Sequence, residues 1–231
     1  NTMMFSEDPD MSVGEEEAQV ASLHIIEYAM KLAAQHQENP KDDIIGALLT
    51  DKGGDKGLTE DEFVWFFLML IAAGNESTRT ITSHGMRMLM QHPDQLQYLV
   101  DNPDKIPGAC EEMLRYNTAF ILMRRTALED IEVAGHEIKA GDKVIMHYHT
   151  VNHDETVFGD DAMEFDVRRA ERMPDLYKEH RAFGVGQHFC LGSHLARLEL
   201  LIIMQEIIPR LRNPKLAGAI TYTRSALVNG I

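Results

Sequence analysis

The chain has 231 residues and a formal net charge of -15 at pH 7, from 37 acidic and 22 basic side chains. At 44% hydrophobic and 26% charged, with 16 Gly and 8 Pro, the composition is that of a globular chain, which excludes a collagenous or disulfide framework and wholesale disorder. An acidic balance with no Lys/Arg run argues against a nucleic-acid partner, and the apolar run over residues 63–74 is too short to span a membrane.

Helical spacing of Val20, Leu23, Ile26, Ala29, Leu32 and Ala33 predicts an amphipathic helix over residues 14–37. Asn39-Pro40-Lys41-Asp42-Asp43 interrupts it, a short helix follows over residues 44–49, and residues 51–57 read as a polar, Gly-rich loop. Thr59-Glu60-Asp61-Glu62 is a capping box, in which hydroxyl and carboxylate three apart satisfy the open N–H groups of a helix start. With no proline before Pro93, that helix is expected to run over residues 60–91. Its first half is apolar all round and is expected to be buried on every side. Gly74-Asn75-Glu76-Ser77-Thr78 then places polar groups in its middle.

Short helices are predicted over residues 93–102 and 106–116. From Ile131 the period changes to two. Ile131-Glu132-Val133 and Lys143-Val144-Ile145-Met146, with turn residues Gly135 and Ala140-Gly141-Asp142, predict a small antiparallel sheet. Residues 150–189 are loop-rich, and residues 193–208 form an apolar helix stopped by Pro209. The fold class is mainly α with a minor antiparallel β-sheet.

The most telling segment is Phe183-Gly-Val-Gly-Gln-His-Phe-Cys190-Leu-Gly192, a glycine-rich loop with one cysteine directly before a helix. A buried structural cysteine is the plainest reading, but three glycines around it are what a backbone needs to approach a flat ligand. Zinc is a second reading, since His180, His188, Cys190 and His194 lie close in sequence, although no Cys-x-x-Cys or second thiol is present. A dinucleotide loop is a poor match, because Phe189 stands where the third glycine belongs. The third possibility is a sulfur bound to haem iron: a negative sulfur ahead of a helix is stabilised by the dipole and the turn's N–H groups, and a cysteinate pushes electron density to the iron. Cys110 and Cys190 lie far apart with no framework spacing, and nothing at the N-terminus reads as a signal peptide, so a cytoplasmic location is expected.

Phe183-Gly184-x-Gly186-x-His188-x-Cys190-x-Gly192, continuing Leu195-Ala196-Arg197-Leu198-Glu199, resembles the haem-binding signature of the cytochrome P-450 superfamily. The resemblance implies that Cys190 is the axial iron ligand, that Phe183 shields the sulfur, that His188 meets a haem propionate, and that Gly184, Gly192 and Ala196 lie against the cofactor. Ala73-Gly74-Asn75-Glu76-Ser77-Thr78 resembles the family's oxygen-activation segment. There Ala73 and Gly74 admit the cofactor or dioxygen, and Glu76 with Ser77 relays protons. Most members have threonine where Ser77 stands, and Thr78 is an alternative hydroxyl. Glu112-Met-Leu-Arg115 resembles the family's internal ion pair, completed by a further arginine for which Arg168, Arg169 and Arg172 are candidates. In Met123-Arg124-Arg125-Thr126-Ala127 the resemblance directs Arg125 to a propionate, and Ala72, Ala119, Ile121 and Leu122 to the substrate pocket.

The resemblance covers the whole chain but only the C-terminal part of the cytochrome P-450 fold. Residues 1–231 are therefore expected to be a single haem-binding domain truncated at both ends. The piece alone is not expected to hold haem stably, and residues 224–231 resemble the start of a terminal hairpin. Glu7-Asp8-Pro9-Asp10, Asn39-Pro40-Lys41-Asp42-Asp43-Ile44 and Val228-Asn229-Gly230-Ile231 resemble soluble bacterial members acting on steroids, terpenoids and lipids. The implied cofactors are haem b and O2. Reducing equivalents from NAD(P)H would arrive through a ferredoxin reductase and ferredoxin, with Lys178, Arg181 and Arg197 as a local basic patch. The implied activity is monooxygenation of a small apolar substrate by a monomer. A haem-thiolate peroxygenase, dehydratase or isomerase, and a non-catalytic haem-binding protein, are the alternatives.

Overall fold

The computed structural model of the chain describes residues 14–50, 56–225 and 227–231. Its contacts fall into two compact units, one up to Glu76 and one from Ser77 onward. The expected loop over residues 51–57 and the motif Glu7-Asp8-Pro9-Asp10 lie largely or wholly outside the described residues.

The first unit holds α1 (Glu15–Glu38), α2 (Ile44–Leu49) and the start of α3 (Glu60–Gln91). Its core is Ala29, Ala33, Phe63 and Val64, rimmed by Ile26, Ile45, Leu48 and Phe67. Asp43 caps α2, accepting from the Gly46 N–H at 2.9 Å. His36 donates from Nδ1 to the Leu32 carbonyl (2.9 Å) and from Nε2 to Asp43 (3.0 Å). With both ring nitrogens donating, the hydrogen bond to Asp43 raises the His36 pKa and favours the imidazolium form.

The capping box forms as the sequence predicts. Thr59 N–H donates to Glu62 Oε2 at 2.9 Å, and Glu62 N–H donates to Thr59 Oγ1 at 3.3 Å. The expectation of burial on every side of this half of α3 is corrected. Phe63, Val64 and Leu68 are buried, while Trp65, Met69, Leu70 and Ile71 are exposed. The physical reason is that within this unit only one face of the helix is met by α1 and α2.

The second unit packs the remainder of α3 with α4 (Pro93–Asp101), α5 (Ile106–Asn117) and α10 (Ser193–Ile207) around Met88, Leu89, Leu99, Met113, Leu200 and Met204. Gly85 makes this packing possible, since a Cβ there would lie 2.7 Å from Met113 Sδ and 3.0 Å from Met204 Cε. Four one-turn helices, α6 (Tyr148–Val151), α7 (Glu155–Phe158), α8 (Arg169–Arg172) and α9 (Leu176–Glu179), punctuate the expected loop region.

The strands pair differently from the expected single sheet. β1 (Leu122–Thr126) pairs antiparallel with β4 (Lys143–His147), and β2 (Ile131–Val133) pairs antiparallel with β3 (His136–Ile138). The cause is local. Ala134 and Gly135 both take positive φ (51° and 81°), the conformation that closes a two-residue hairpin, so β2 is taken by β3. The terminal segment returns beside α5: Ile121 N–H donates to the Leu227 carbonyl and Asn229 N–H to the Ala119 carbonyl, each at 2.9 Å. It also folds back on itself through Thr223 N–H to the Gly230 carbonyl at 3.0 Å.

Candidate functional site

Three charged side chains are fully buried together. Arg115 donates from Nε and Nη2 to the two Glu112 oxygens at 2.7 Å each, a bidentate pair three residues apart on α5. Arg169 Nε donates to Glu112 Oε1 at 3.2 Å. The structure thus assigns the third partner that the sequence left open. Arg168 instead lies over the Tyr98 ring, 4.0 Å from its centroid, and Arg172 pairs with Asp161 and Asp166 nearer the surface.

The remaining guanidinium donors are taken by backbone. Arg115 reaches the carbonyls of Asn152 and Ala162 (2.7 Å each) and Glu164 (3.0 Å), and Arg169 reaches those of Phe158 (3.1 Å) and Asp161 (2.8 Å). A buried charge needs such complete partnering, and here it pins the loop over residues 158–166. Burial works against the Asp161 charge, but the hydrogen bond from Arg169 and the field of Arg172 hold its carboxyl below the usual range.

The cysteine loop follows in the chain. Gly184 and Gly186 take φ of 72° and 71°, left-handed values that favour glycine. A Cβ on Gly184 would also sit 3.3 Å from Tyr148 Oη. Residues Gly186–His188 form a single 3-10 turn, and Cys190 N–H donates to the Phe183 carbonyl at 2.9 Å. Cys190 is exposed and unpaired to any other cysteine, whereas Cys110 is buried and its thiol pushed up to about 12 by burial. Gly192 precedes α10, and Ala196 lies half-buried in its first turn. His188 is exposed on the loop.

Sequence reading missed the group that fastens this loop. Glu111 on α5 accepts from His180 Nε2 at 2.8 Å and from Arg197 Nε at 2.9 Å. Arg197 in turn lies 4.6 Å from the centroid of the Phe183 ring. Burial opposes the Glu111 charge, yet the hydrogen bonds from His180 and Arg197 keep its pKa lowered. The only sequence signal was a second carboxylate beside Glu112, with partners 69 and 86 residues away. Of the expected basic patch, Arg197 pairs with Glu111, Lys178 pairs with Asp175, and Arg181 donates to the carbonyls of Lys178 and Glu179. Among the described residues no three His, Cys, Asp or Glu side chains are grouped as a metal cage.

The other expected residues are placed as follows. In α3, Ala73 and Gly74 are exposed, Glu76 is buried at 2% exposure, and Ala72, Ser77 and Thr78 are half-buried. Ala119 is buried and Ile121 and Leu122 half-buried, along the strand that meets Val228. Arg125 is exposed on β1 and donates to the Arg124 carbonyl at 3.0 Å.

The chain thus carries a buried Glu-x-x-Arg pair with a third arginine, and a glycine-bracketed cysteine ahead of a helix. The chain belongs to the cytochrome P-450 family, whose sequence model matches residues 13–213. It is 37% identical over 234 residues to a steroid C26-monooxygenase of Mycolicibacterium smegmatis, covering all of this chain and 52% of that one. It is 32% identical to a linalool 8-monooxygenase of Pseudomonas putida, over all of this chain and 55% of that one. Among solved structures, CYP109E1 of Bacillus megaterium in complex with testosterone superposes with a TM-score of 0.85 and 31% identity, over 94% of this chain and 59% of that one. The chain thus spans about half the length of the curated relatives it matches.

The residues present fit a haem. The thiol is exposed, and a Cβ at Gly186 or Gly192 would meet no atom within 4 Å. Phe189, Leu191 and Leu195, which flank Cys190, are exposed apolar side chains.

Proposed function

We propose that the protein containing this chain is a haem-thiolate monooxygenase that places one oxygen atom of O2 in an apolar substrate of steroid or terpenoid type. The observation that carries this reading is the exposed Cys190 thiol on a hydrogen-bonded glycine loop, in a chain of the cytochrome P-450 family. The steroid and terpenoid relatives support the substrate class.

When bound, haem supplies the dioxygen chemistry. Cys190 would supply the sulfur that holds the iron, with Phe183 and Arg197 steadying the loop that carries it. Arg125 and His188 are the cationic or donor groups for the propionates. Ala72, Ala119, Ile121 and Leu122 offer an apolar wall to the substrate. Glu76 holds a proton at its carboxyl, and the Ser77 or Thr78 hydroxyl passes it on, a role that suits an acid shielded from bulk water. Electrons come from NAD(P)H through a ferredoxin reductase and a ferredoxin, and the protein acts as a monomer in the cytoplasm. No helix among the described residues is long and apolar enough to cross a membrane. The 231 residues act as part of one haem-binding domain.

The test is the absorption spectrum of the dithionite-reduced full-length protein with and without carbon monoxide. A strongly red-shifted Soret band is expected. A band at the ordinary histidine-type position, or no haem uptake, would remove Cys190 as the ligand.

A further inference from the structure

We propose that Asn152 is a positioning residue that ties the strand leaving α5 to the cysteine loop, so that the setting of the sulfur depends on a side chain at the opposite end of one buried amide. The inference rests on the haem-thiolate reading above. Asn152 is fully buried at 0% exposure, and each of its polar groups is committed. Its carbonyl accepts from Arg115 Nη1 at 2.7 Å, and its backbone N–H donates to the Tyr148 carbonyl at 3.0 Å. Its side chain faces two ways: Nδ2 donates to Thr118 Oγ1 at 2.7 Å, and Oδ1 accepts from the Arg181 N–H at 2.6 Å.

Thr118 is the unusual end of this link. It follows α5 with φ of 23°, a left-handed value that a β-branched residue rarely adopts. Such a conformation persists only where the surroundings over-determine it. Thr118 is itself fully buried, and its hydroxyl donates to the Arg115 carbonyl at 3.0 Å while accepting from Asn152. The turn sends the chain directly into residues 119–122, where Ala119, Ile121 and Leu122 lie.

Arg181 is the other end. It stands two residues before Phe183, whose carbonyl accepts the Cys190 N–H at 2.9 Å. A carboxamide is the side chain that donates to a hydroxyl and accepts from a peptide N–H at once; a carboxylate has only acceptors and a leucine has neither. A displacement of residues 119–122 that reorients Thr118 is therefore felt at Arg181 through one side chain, and from there at the loop carrying the sulfur.

The experiment compares Thr118→Val, Thr118→Ser and Asn152→Ala in the full-length haem-loaded protein. The readouts are the midpoint potential of the iron and the hydrogen-exchange rate of the Arg181 amide. Thr118→Val and Asn152→Ala are expected to displace the potential in the same direction and to speed exchange at Arg181, and Thr118→Ser to do neither. In the double variant, Thr118→Val is expected to add nothing to Asn152→Ala, as members of one network behave. A wild-type potential and exchange rate in Thr118→Val, or additive effects in the double variant, overturns the proposal. Should Asn152→Ala not fold, the two Thr118 variants decide alone, since both keep the Asn152 side chain. A wild-type carbon monoxide complex of the histidine type would instead sink the haem-thiolate reading, and exchange at Arg181, which needs no haem, would still decide the coupling.

Discussion

Arg169 Nε stands 3.2 Å from the Glu112 carboxylate, 57 residues away in the chain, and both side chains are sealed from solvent. Glu112 also carries Arg115 and accepts the Asp166 N–H at 3.0 Å, so one carboxylate fastens α5, α8 and the loop between them. Removing one partner of a buried ion pair leaves an uncompensated charge. Arg169→Met is therefore expected to lower the unfolding free energy by about 3–5 kcal/mol. Arg172→Ala, at a half-exposed pair, is expected to cost about 0–1 kcal/mol. Urea unfolding of the two variants in the full-length protein makes the comparison, and equal losses would contradict the assignment of Arg169.

The two thiols differ in access. Cys110 is buried, with its thiol pushed up to about 12, while Cys190 is exposed. Reagent attack proceeds through the thiolate, so Cys110 is expected to stay silent at pH 8. Of these two thiols only Cys190 is expected to give a fast phase when the haem-free protein is titrated with a chromogenic disulfide. Cys190→Ser should abolish it and Cys110→Ser leave it, and two fast thiols would show that the α5 core opens.

His153 links the fold to pH. Its Nδ1 donates to the His149 carbonyl at 2.8 Å, its ring stacks on His149 at 4.4 Å, and Tyr116 meets it edge-on at 5.1 Å. Burial pushes its pKa down to about 4, helped by the positive fields of His149, Arg115 and Arg169. In the unfolded chain a histidine titrates near 6.5. Between those values the unfolded state holds a proton that the folded state lacks, so stability falls as pH drops from about 6.5 to about 4, by at most ~1.4 kcal/mol per pH unit, and levels off below. The His149 pKa, also lowered by burial, adds in the same direction. His153→Phe is expected to flatten the acid limb of a stability–pH profile, and an unchanged slope would remove His153 as its source.

Under the proposed proton-relay role, Glu76 and Ser77 act on the reaction rather than the fold. Glu76→Gln and Ser77→Ala in the full-length protein are each expected to reduce product turnover by roughly 10²-fold, the scale of a lost proton-transfer group, while more reducing equivalents are lost as hydrogen peroxide. Turnover and coupling unchanged in both would favour an isomerase-type or non-catalytic haem protein.

Much of this architecture was legible because the signals are local. The capping box at Thr59 and the prolines at 93 and 209 fix helix limits through groups one turn apart, and α3 begins at Glu60 and ends at Gln91 as read. The cysteine loop was legible because its glycines answer to backbone geometry at single positions. What escaped depends on partners far apart in the chain. Nothing near Arg168, Arg169 or Arg172 tells which one reaches Glu112. Glu111 reads as a surface acid until His180 and Arg197 arrive at it. The strand pairing differs for a local reason, since the positive φ of Ala134 that closes the hairpin is not signalled by an alanine.

The exposed face of α3 gives the protein a built-in optical probe. Trp65, the sole tryptophan in the sequence, sits on that face at 64% exposure beside Met69. An indole in water emits at long wavelength, and an indole covered by apolar groups emits further to the blue. A polypeptide that settles over Trp65 is therefore expected to move the emission of that one indole to the blue.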